Sequence, residues 1–133
     1  MIDFAKCVEA HVTGIALLED FGALNISLRG AHRQCFTLMA KGVDRFVATE
    51  FRERNIVDRV TLWDSSSEAD EYRDSLSILV AGSSDVPQEA AWQALMDKEV
   101  ASIKQEKKIF LEIEAVYGVS ILLLAKEVVL TDG

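Results

Sequence analysis

The sequence predicts an α+β fold: a mostly antiparallel sheet, built from an N-terminal meander and a C-terminal hairpin, with two or three helices packed on one face. Apolar and polar side chains alternate with a period of two in segments before Asp64 and after Lys108. The three- and four-residue spacing of a helix is concentrated between those segments. Because strands and helices are segregated along the chain, we expect no parallel nucleotide-binding crossover unit, and a single domain over residues 1–133.

The first part of the meander begins with an ambiguous segment. Residues 3–20 favour a helix or turn that is followed by a strand near Val12, since Gly14 and neighbouring β-branched residues interrupt a helical pattern. Residues 23–30 alternate cleanly and predict a second strand. One face of that strand carries the apolar residues Leu24, Ile26 and Leu28.

Three more segments complete the predicted meander. Residues 35–43 and 55–64 are rich in β-branched, aromatic and aliphatic residues and are strand candidates. Residues 44–54 lie between them and fit either a strand or a short helical turn. The sequence therefore leaves the path of the chain in this region open.

Two helices follow. Residues 65–82 begin with serines suited to an N-cap, continue with acidic residues suited to a first turn, and end at Gly82. A second helix is expected to begin close to Pro87, because proline is favoured at the first helical position. Its apolar stripe consists of Ala91, Trp92, Leu95, Met96, Val100 and Ile103.

The chain returns to strand character at Lys108. Leu111 and Ile113 alternate with Glu112 and Glu114, as in a half-buried strand. A turn is expected after that strand, at the sequence Val-Tyr-Gly. Residues 119–130 are apolar on both sides and predict a central strand covered by helices, so the two segments form the C-terminal hairpin.

Composition restricts the classes of partner. Twenty-two acidic residues outnumber fourteen basic ones, and the formal charge of −8 opposes binding to nucleic acid or to an anionic membrane. The longest apolar stretch is interrupted by Lys126 and Glu127, and the N-terminus lacks the basic flank of a secretory signal. Two cysteines in a chain with enough apolar residues for a core favour reduced thiols and a cytoplasmic location.

A metal site is one alternative. Cys7, His11, His32 and Cys35 are all of the cysteines and histidines of the chain, and such ligands suit zinc. If residues 3–12 were helical, Cys7 and His11 would share one face. The order and spacing match no common structural zinc pattern, so we expect a buried thiol and two exposed imidazoles, and no cofactor or metal.

The acidic segment around residues 64–74 has two interpretations. It fails the calcium-loop template, because Ala69 stands where glycine is required and Ser75 where the bidentate glutamate is required. Acidic residues in a first helical turn are normally solvated and favoured by the helix dipole. The alternative is a surface that docks a basic partner, consisting of Glu68, Asp70, Glu71 and Asp74 with Trp63 beside it.

Other residues have both a structural and a functional interpretation. Trp63 suits a core anchor or an interface anchor equally, whereas Trp92 lies on a helical apolar stripe and suits a core. Glu112 and Glu114 share a strand face and could act as paired carboxylates, although a solvated strand surface has the same pattern. Asp58, between apolar neighbours, has the same two interpretations.

The sequence favours a non-catalytic module that binds another protein, or itself as a homodimer, through a sheet face or edge. It contains no nucleotide-binding, serine-hydrolase or zinc-protease motif, which weighs against an enzyme. One specific form is an immunity- or antitoxin-like protein whose acidic surface covers a basic partner. The alternative is a small enzyme or ligand-binding domain with a pocket between helices and sheet, using His11, His32 and Glu112 or Glu114.

Overall fold

A computed structural model describes residues 2–18, 22–82 and 89–132. In those ranges the fold is α+β, with antiparallel strands, two α-helices and a short 3-10 helix at Ala5–Cys7. The strands are β1 His11–Leu17, β2 Ala23–Arg29, β3 Cys35–Lys41, β4 Arg45–Thr49, β5 Ile56–Trp63, β6 Ile109–Tyr117, β7 Ser120–Ala125 and β8 Glu127–Asp132. The helices are α1 Ala69–Ala81 and α2 Ala90–Lys104.

The sheet closes into a ring because short connections join β3 to β4 and β7 to β8. Its neighbour order is β4-β7-β6-β5-β1-β2-β3-β8. Residues 42–44 join β3 to β4, and Lys126 alone joins β7 to β8. β3 pairs with β8 while β4 pairs with β7, and the Lys126 amide donates to the Lys41 carbonyl at 3.0 Å across the bend. The two ends of the neighbour order, β4 and β8, are therefore connected to each other through β3 and β7.

Strand pairing around the ring is shortest between β1 and β5. These strands share a single registered pair, His11↔Ile56. The Val12 amide adds a bond of 2.8 Å to the Asn55 carbonyl. Within the described residues no strand pairs with the rest of β1 on this side, so residues 13–17 have a strand neighbour only in β2.

The ring separates two apolar clusters. The inner cluster fills the ring, and its bulky members include Leu24, Ile26, Phe36, Leu38, Leu111 and Ile113. The outer cluster lies between the sheet and both helices, and includes Trp63, Tyr72, Leu76, Met96, Ile103 and Phe110. β7 belongs to both, because alternate side chains point to opposite faces of a strand. The predicted central strand under helices is therefore confirmed.

An ionic network fixes α2 to the bend. Glu99 lies on the buried face of α2, with only 2% of its surface exposed. Its carboxylate binds the Arg45 Nε atom at 3.2 Å and the Lys108 Nζ atom at 3.0 Å. Lys108 also binds Asp44 at 2.6 Å. A buried carboxylate needs such partners, because an isolated buried charge is strongly destabilising.

Several expectations are confirmed and some are refined. A strand begins near Val12, residues 23–29 form the second strand, and α1 ends at Gly82, whose φ of 77° suits a helix C-terminus. α1 starts at Ala69, after the serines, and its N-cap is Glu68. The expected start of the second helix at Pro87 lies outside the described residues. Of the described helices, none is both long and apolar enough to cross a membrane.

Long-range pairing differs from the expected layout in two places. The meander comprises only β1, β2 and β3, because β4 leaves it to pair with β7. The last apolar segment is two strands, of which β7 completes the hairpin with β6 and β8 pairs with β3. Local alternation cannot reveal this, since the same pattern suits any antiparallel neighbour.

Replacement of Gly118 tests the turn that joins β6 to β7. Its φ is 93°, and a Cβ atom there would collide with the Arg54 carbonyl and the Asn55 side chain. We expect Gly118→Ala to lower the free energy of unfolding by about 3 kcal/mol, from backbone strain and overpacking together. Urea denaturation measures the change.

Gly82→Ala is the matched control. Gly82 also has a positive φ, but a Cβ atom there meets nothing within 4 Å. Its loss should be near 1 kcal/mol, the cost of a left-handed conformation alone. Equal losses for the two variants would contradict the tight packing inferred at Gly118.

Candidate functional site

The four residues of the zinc alternative do not form a site. Cys7 ends the 3-10 helix and is buried, whereas His11 begins β1, so the two residues do not share the helical face on which the zinc alternative depends. His11 is half-buried, so the expectation of two exposed imidazoles is wrong for this residue. His32 and Cys35 are exposed around the β2–β3 turn. In the described ranges no three His, Cys, Asp or Glu residues come close enough to hold a metal ion. Burial also raises the pKa of the Cys7 thiol to about 11, which keeps it protonated at neutral pH.

The acidic residues of α1 lie at the surface. Glu68, Asp70, Glu71 and Asp74 are all exposed at or near the helix N-terminus. Negative side chains are stabilising there, because the helix dipole is positive at that end. Their positions are accounted for by helix electrostatics, and a role in docking a basic partner stays a prediction.

Trp63 has a core position. It is 9% exposed, and its ring stacks on Phe110 with centroids 5.1 Å apart and tilts against Tyr72 at 6.0 Å. Aromatic contacts of this geometry stabilise a core beyond the area they bury. Of the two interpretations of Trp63, the structure supports the core anchor. Trp92 is half-buried against the same outer cluster.

Glu112 and Glu114 share the outer face of β6, as their spacing predicts. Glu112 is half-buried and accepts a hydrogen bond from the Ser75 hydroxyl at 3.2 Å. Burial, and next the charge of Glu114, raise the pKa of the Glu112 carboxyl. Glu114 is paired with Arg59 at 3.2 Å, and Asp58 is exposed. Both glutamates therefore have structural partners, and the site below lies elsewhere.

An apolar cleft opens beside residues 13–17 of β1, on the side of the strand that faces away from β2. Its volume is about 460 Å³. β1 supplies one wall, and β4 with the segment that follows it supplies the other; the lining residues are Thr13, Gly14, Ile15, Phe46, Ala48 and Phe51. Ile15, Phe46 and Ala48 pack against the inner cluster. The cleft is thus the place where the core of the ring reaches the surface.

The hydrogen-bond pattern of β1 defines which backbone groups face the cleft. The Leu18 amide donates to the Ala23 carbonyl at 3.1 Å, so residues 18 and 23 form a hydrogen-bonded pair. Such pairs alternate along an antiparallel ladder. Gly14 and Ala16 therefore bond to β2, whereas the N–H and C=O groups of Ile15 and Leu17 point away from it. The Ile15 side chain packs against the inner cluster, whereas Leu17 is 74% exposed.

The cleft continues into a basic end at the start of β1. A depression of about 330 Å³ shares Thr13 and Phe51 with the apolar part. A second depression of about 300 Å³ shares His11 and Arg29 with the first. The side chains that carry charge around this end are those of Arg29, Arg33, Arg52 and Glu53.

Local structure places each arginine. Arg29 ends β2 directly opposite His11. Arg33 lies in the β2–β3 turn with a φ of 64°, where its amide donates to the Gly30 carbonyl at 3.0 Å. Arg52 lies over the Tyr117 ring, 5.6 Å from its centroid, which restrains the guanidinium through a cation–π contact. The three guanidiniums come from two separate segments of the chain, residues 28–33 and residues 51–54.

This arrangement suits recognition of an anion beside an apolar group. Guanidinium groups bind carboxylate or phosphate through paired N–H donors. Sequence reasoning identified His11 but missed Arg29, Arg52 and Phe51. The basic residues in "LRGAHR" and "FRER" were a visible signal. No local sequence pattern indicates that these two segments lie next to each other in the fold.

Comparison with known proteins adds no family assignment. No family model matches the chain, and neither a curated protein nor a solved structure shows significant similarity to it. The geometry of the cleft is therefore the observation from which a function can be argued.

Substitution of Glu112 tests the electrostatic description of the outer face. A carboxyl whose pKa is raised by folding holds its proton more tightly in the native state, so its ionisation destabilises the fold as pH rises. Glu112→Gln should raise the free energy of unfolding at neutral pH by roughly 0.5 kcal/mol. Well below pH 4.5, where Glu112 is protonated, the gain should vanish.

The exposed Glu127 provides the control, because Glu127→Gln removes a charge at the surface. Chemical denaturation at both pH values gives the comparison. A loss of stability for Glu112→Gln at neutral pH would show that the glutamate charge is favourable in the folded state, against this description.

Proposed function

We propose that this protein is a non-catalytic interaction module that binds an extended segment of another protein along the open edge of β1. The observation that carries the proposal is the orientation of Ile15 and Leu17, whose backbone groups point away from β2 and have no strand neighbour in the described residues. An extended peptide can add to such an edge through main-chain hydrogen bonds. Side-chain pockets beside the edge then provide specificity.

Among the residues that the structure describes, nothing gives the edge of β1 the usual protection against strand addition. Edge strands in monomeric proteins commonly carry charges or are covered by another segment. β8 shows both: the N-terminal segment lies against it, and Lys6 binds Asp132 at 2.8 Å. By contrast, residues 14–17 of β1 are Gly-Ile-Ala-Leu. A bulge at Thr13 is the one irregularity in the pairing of β1 with β2.

The cleft also suits a segment better than a small molecule. Ligand pockets for small molecules enclose most of the ligand surface. Here Thr13, Leu17 and Phe51 are exposed, with Phe51 at 51%, so the cleft is shallow and bordered by apolar side chains. A shallow apolar surface beside a free strand edge is typical of a peptide-binding groove.

The chemistry of the cleft supports binding over catalysis. Its lining combines apolar side chains, arginines and one histidine, and the carboxylate among them, Glu53, accepts a hydrogen bond from the Tyr117 hydroxyl at 3.3 Å. A reducing, cytoplasmic environment fits the proposal, because Cys35 is an exposed free thiol beside the β2–β3 turn. The acidic face of α1 and a homodimer are the other interaction modes that the sequence suggested.

A substitution at Leu17 tests strand addition. Linear peptides would be selected from a phage-displayed library on the wild-type protein and measured by fluorescence anisotropy. Leu17→Pro removes an N–H group that bonds to no described residue but would bond to an added strand. We expect affinity to fall about tenfold, the effect of one lost hydrogen bond plus the proline ring.

Leu17→Thr is the control, because it shortens the same side chain and keeps the N–H group. Both variants should keep the urea midpoint of a folded sheet, since Leu17 does not bond to β2. Equal affinity of the two variants for the selected peptides would refute strand addition at β1. A wild-type dimer that dissociates in Leu17→Pro would replace the separate partner by a second copy of this chain.

A further inference from the structure

We infer that the segment bound along β1 is amphipathic and acidic, with apolar residues beside Ile15 and Leu17 and one or two carboxylates at the Arg29, Arg33 and Arg52 end. This inference rests on the proposed function and specifies its partner. The decisive feature is the continuity of the apolar cleft with the basic end, through shared Thr13 and Phe51.

The arginines of the cleft are available to a ligand. Arg45, Arg59 and Arg73 each bind a carboxylate of the chain at 2.9–3.2 Å. In the described ranges, no ion pair includes any of the three cleft arginines. They outnumber the single lining carboxylate, Glu53, which is itself bonded to Tyr117. The basic end therefore has an excess of positive charge in a chain whose formal charge is −8.

Charge complementarity selects the class of partner. A local positive patch on an acidic protein attracts carboxylates at short range, while the overall negative charge repels strongly anionic molecules at longer range. Nucleic acids and anionic membranes are disfavoured by that repulsion. A segment with only one or two acidic residues next to apolar ones satisfies both conditions.

The length of β1 sets the spacing of the two features. His11 and Arg29 pair at the start of β1, and Leu17 lies at its end. Successive residues of a strand advance about 3.3 Å. The carboxylates of the partner should therefore lie roughly two to six residues from its apolar side chains along an extended segment.

The experiment uses the same selected peptides with two double variants. Arg29→Gln/Arg52→Gln removes two charges at the cleft, and Lys104→Gln/Lys107→Gln removes two exposed charges at the end of α2. Both change the net charge equally. We expect the arginine variant to weaken binding about tenfold or more and to reduce its salt dependence, with no change for the lysine variant.

Peptide variants complete the thermodynamic cycle. Replacing the acidic residues of a selected peptide by Asn or Gln should weaken binding to the wild type about tenfold and have little effect on binding to the arginine variant. If neutral peptides bind the wild type and the Leu17→Pro substitution weakens that binding, the inference is overturned and the proposed function is left intact. Binding that is insensitive to Leu17→Pro would overturn both.

Dodecanoate serves as the small-molecule probe. It offers one carboxylate and an apolar chain without a backbone for strand addition. We expect it to compete weakly with the peptides. If it bound the arginine cleft more tightly than any selected peptide, a small amphipathic anion would replace the acidic segment as the ligand.

Discussion

The arrangement of the sheet depends on one buried side chain, Asn55. Its Oδ1 atom accepts hydrogen bonds from the Arg52 amide at 2.9 Å and the Val119 amide at 3.0 Å. Its Nδ2 atom donates to the carbonyls of Arg52 at 2.8 Å and Val12 at 3.3 Å. One amide thus joins β1, the segment before β5 and the β6–β7 turn. Only 2% of Asn55 is exposed, so these bonds are shielded from water and leaving any of them unmade would be costly.

Closure at Asn55 explains both the core and the cleft. Three segments are drawn together at one end of β1, where His11 pairs with Ile56. β5 then separates from β1, and the gap is bordered by β4 and Phe51. The inner cluster is consequently sealed at one end and exposed along residues 13–17. The same geometry brings Arg52 beside Arg29, so the apolar cleft and the basic end have one structural origin.

Sequence reasoning predicted local structure well, because that structure is set by neighbours in the chain. Alternation identified β2 and β6, and the position of Gly82 identified the end of α1. The apolar run at residues 119–130 predicts one central strand with two buried faces, which is correct for β7, whereas β8 is buried mainly at Val128. Its division at Lys126 was missed, since the pairing of β8 with β3 is a contact between opposite ends of the chain.

The site was harder to predict than the fold. Chemical type alone favours cysteines, histidines and acidic runs as site residues. The cleft is instead defined by residues 13–17 of β1, which pair with β2 alone among the described strands, and by arginines from distant segments. Phe51 and Leu17 are ordinary apolar residues in the sequence, and only the ring shows that both are exposed. Trp63, which suits a core and an interface equally in the sequence, is buried because α1 and α2 cover it.

Amide hydrogen exchange along β1 tests the central claim most directly. In the monomeric protein, the account predicts slow exchange for Val12, whose amide donates to Asn55, and for Gly14 and Ala16, which bond to β2. Ile15 and Leu17 should exchange rapidly, and a bound peptide should slow them. Strong protection of Ile15 and Leu17 in the free monomer would show that the edge of β1 is already occupied and would contradict the account.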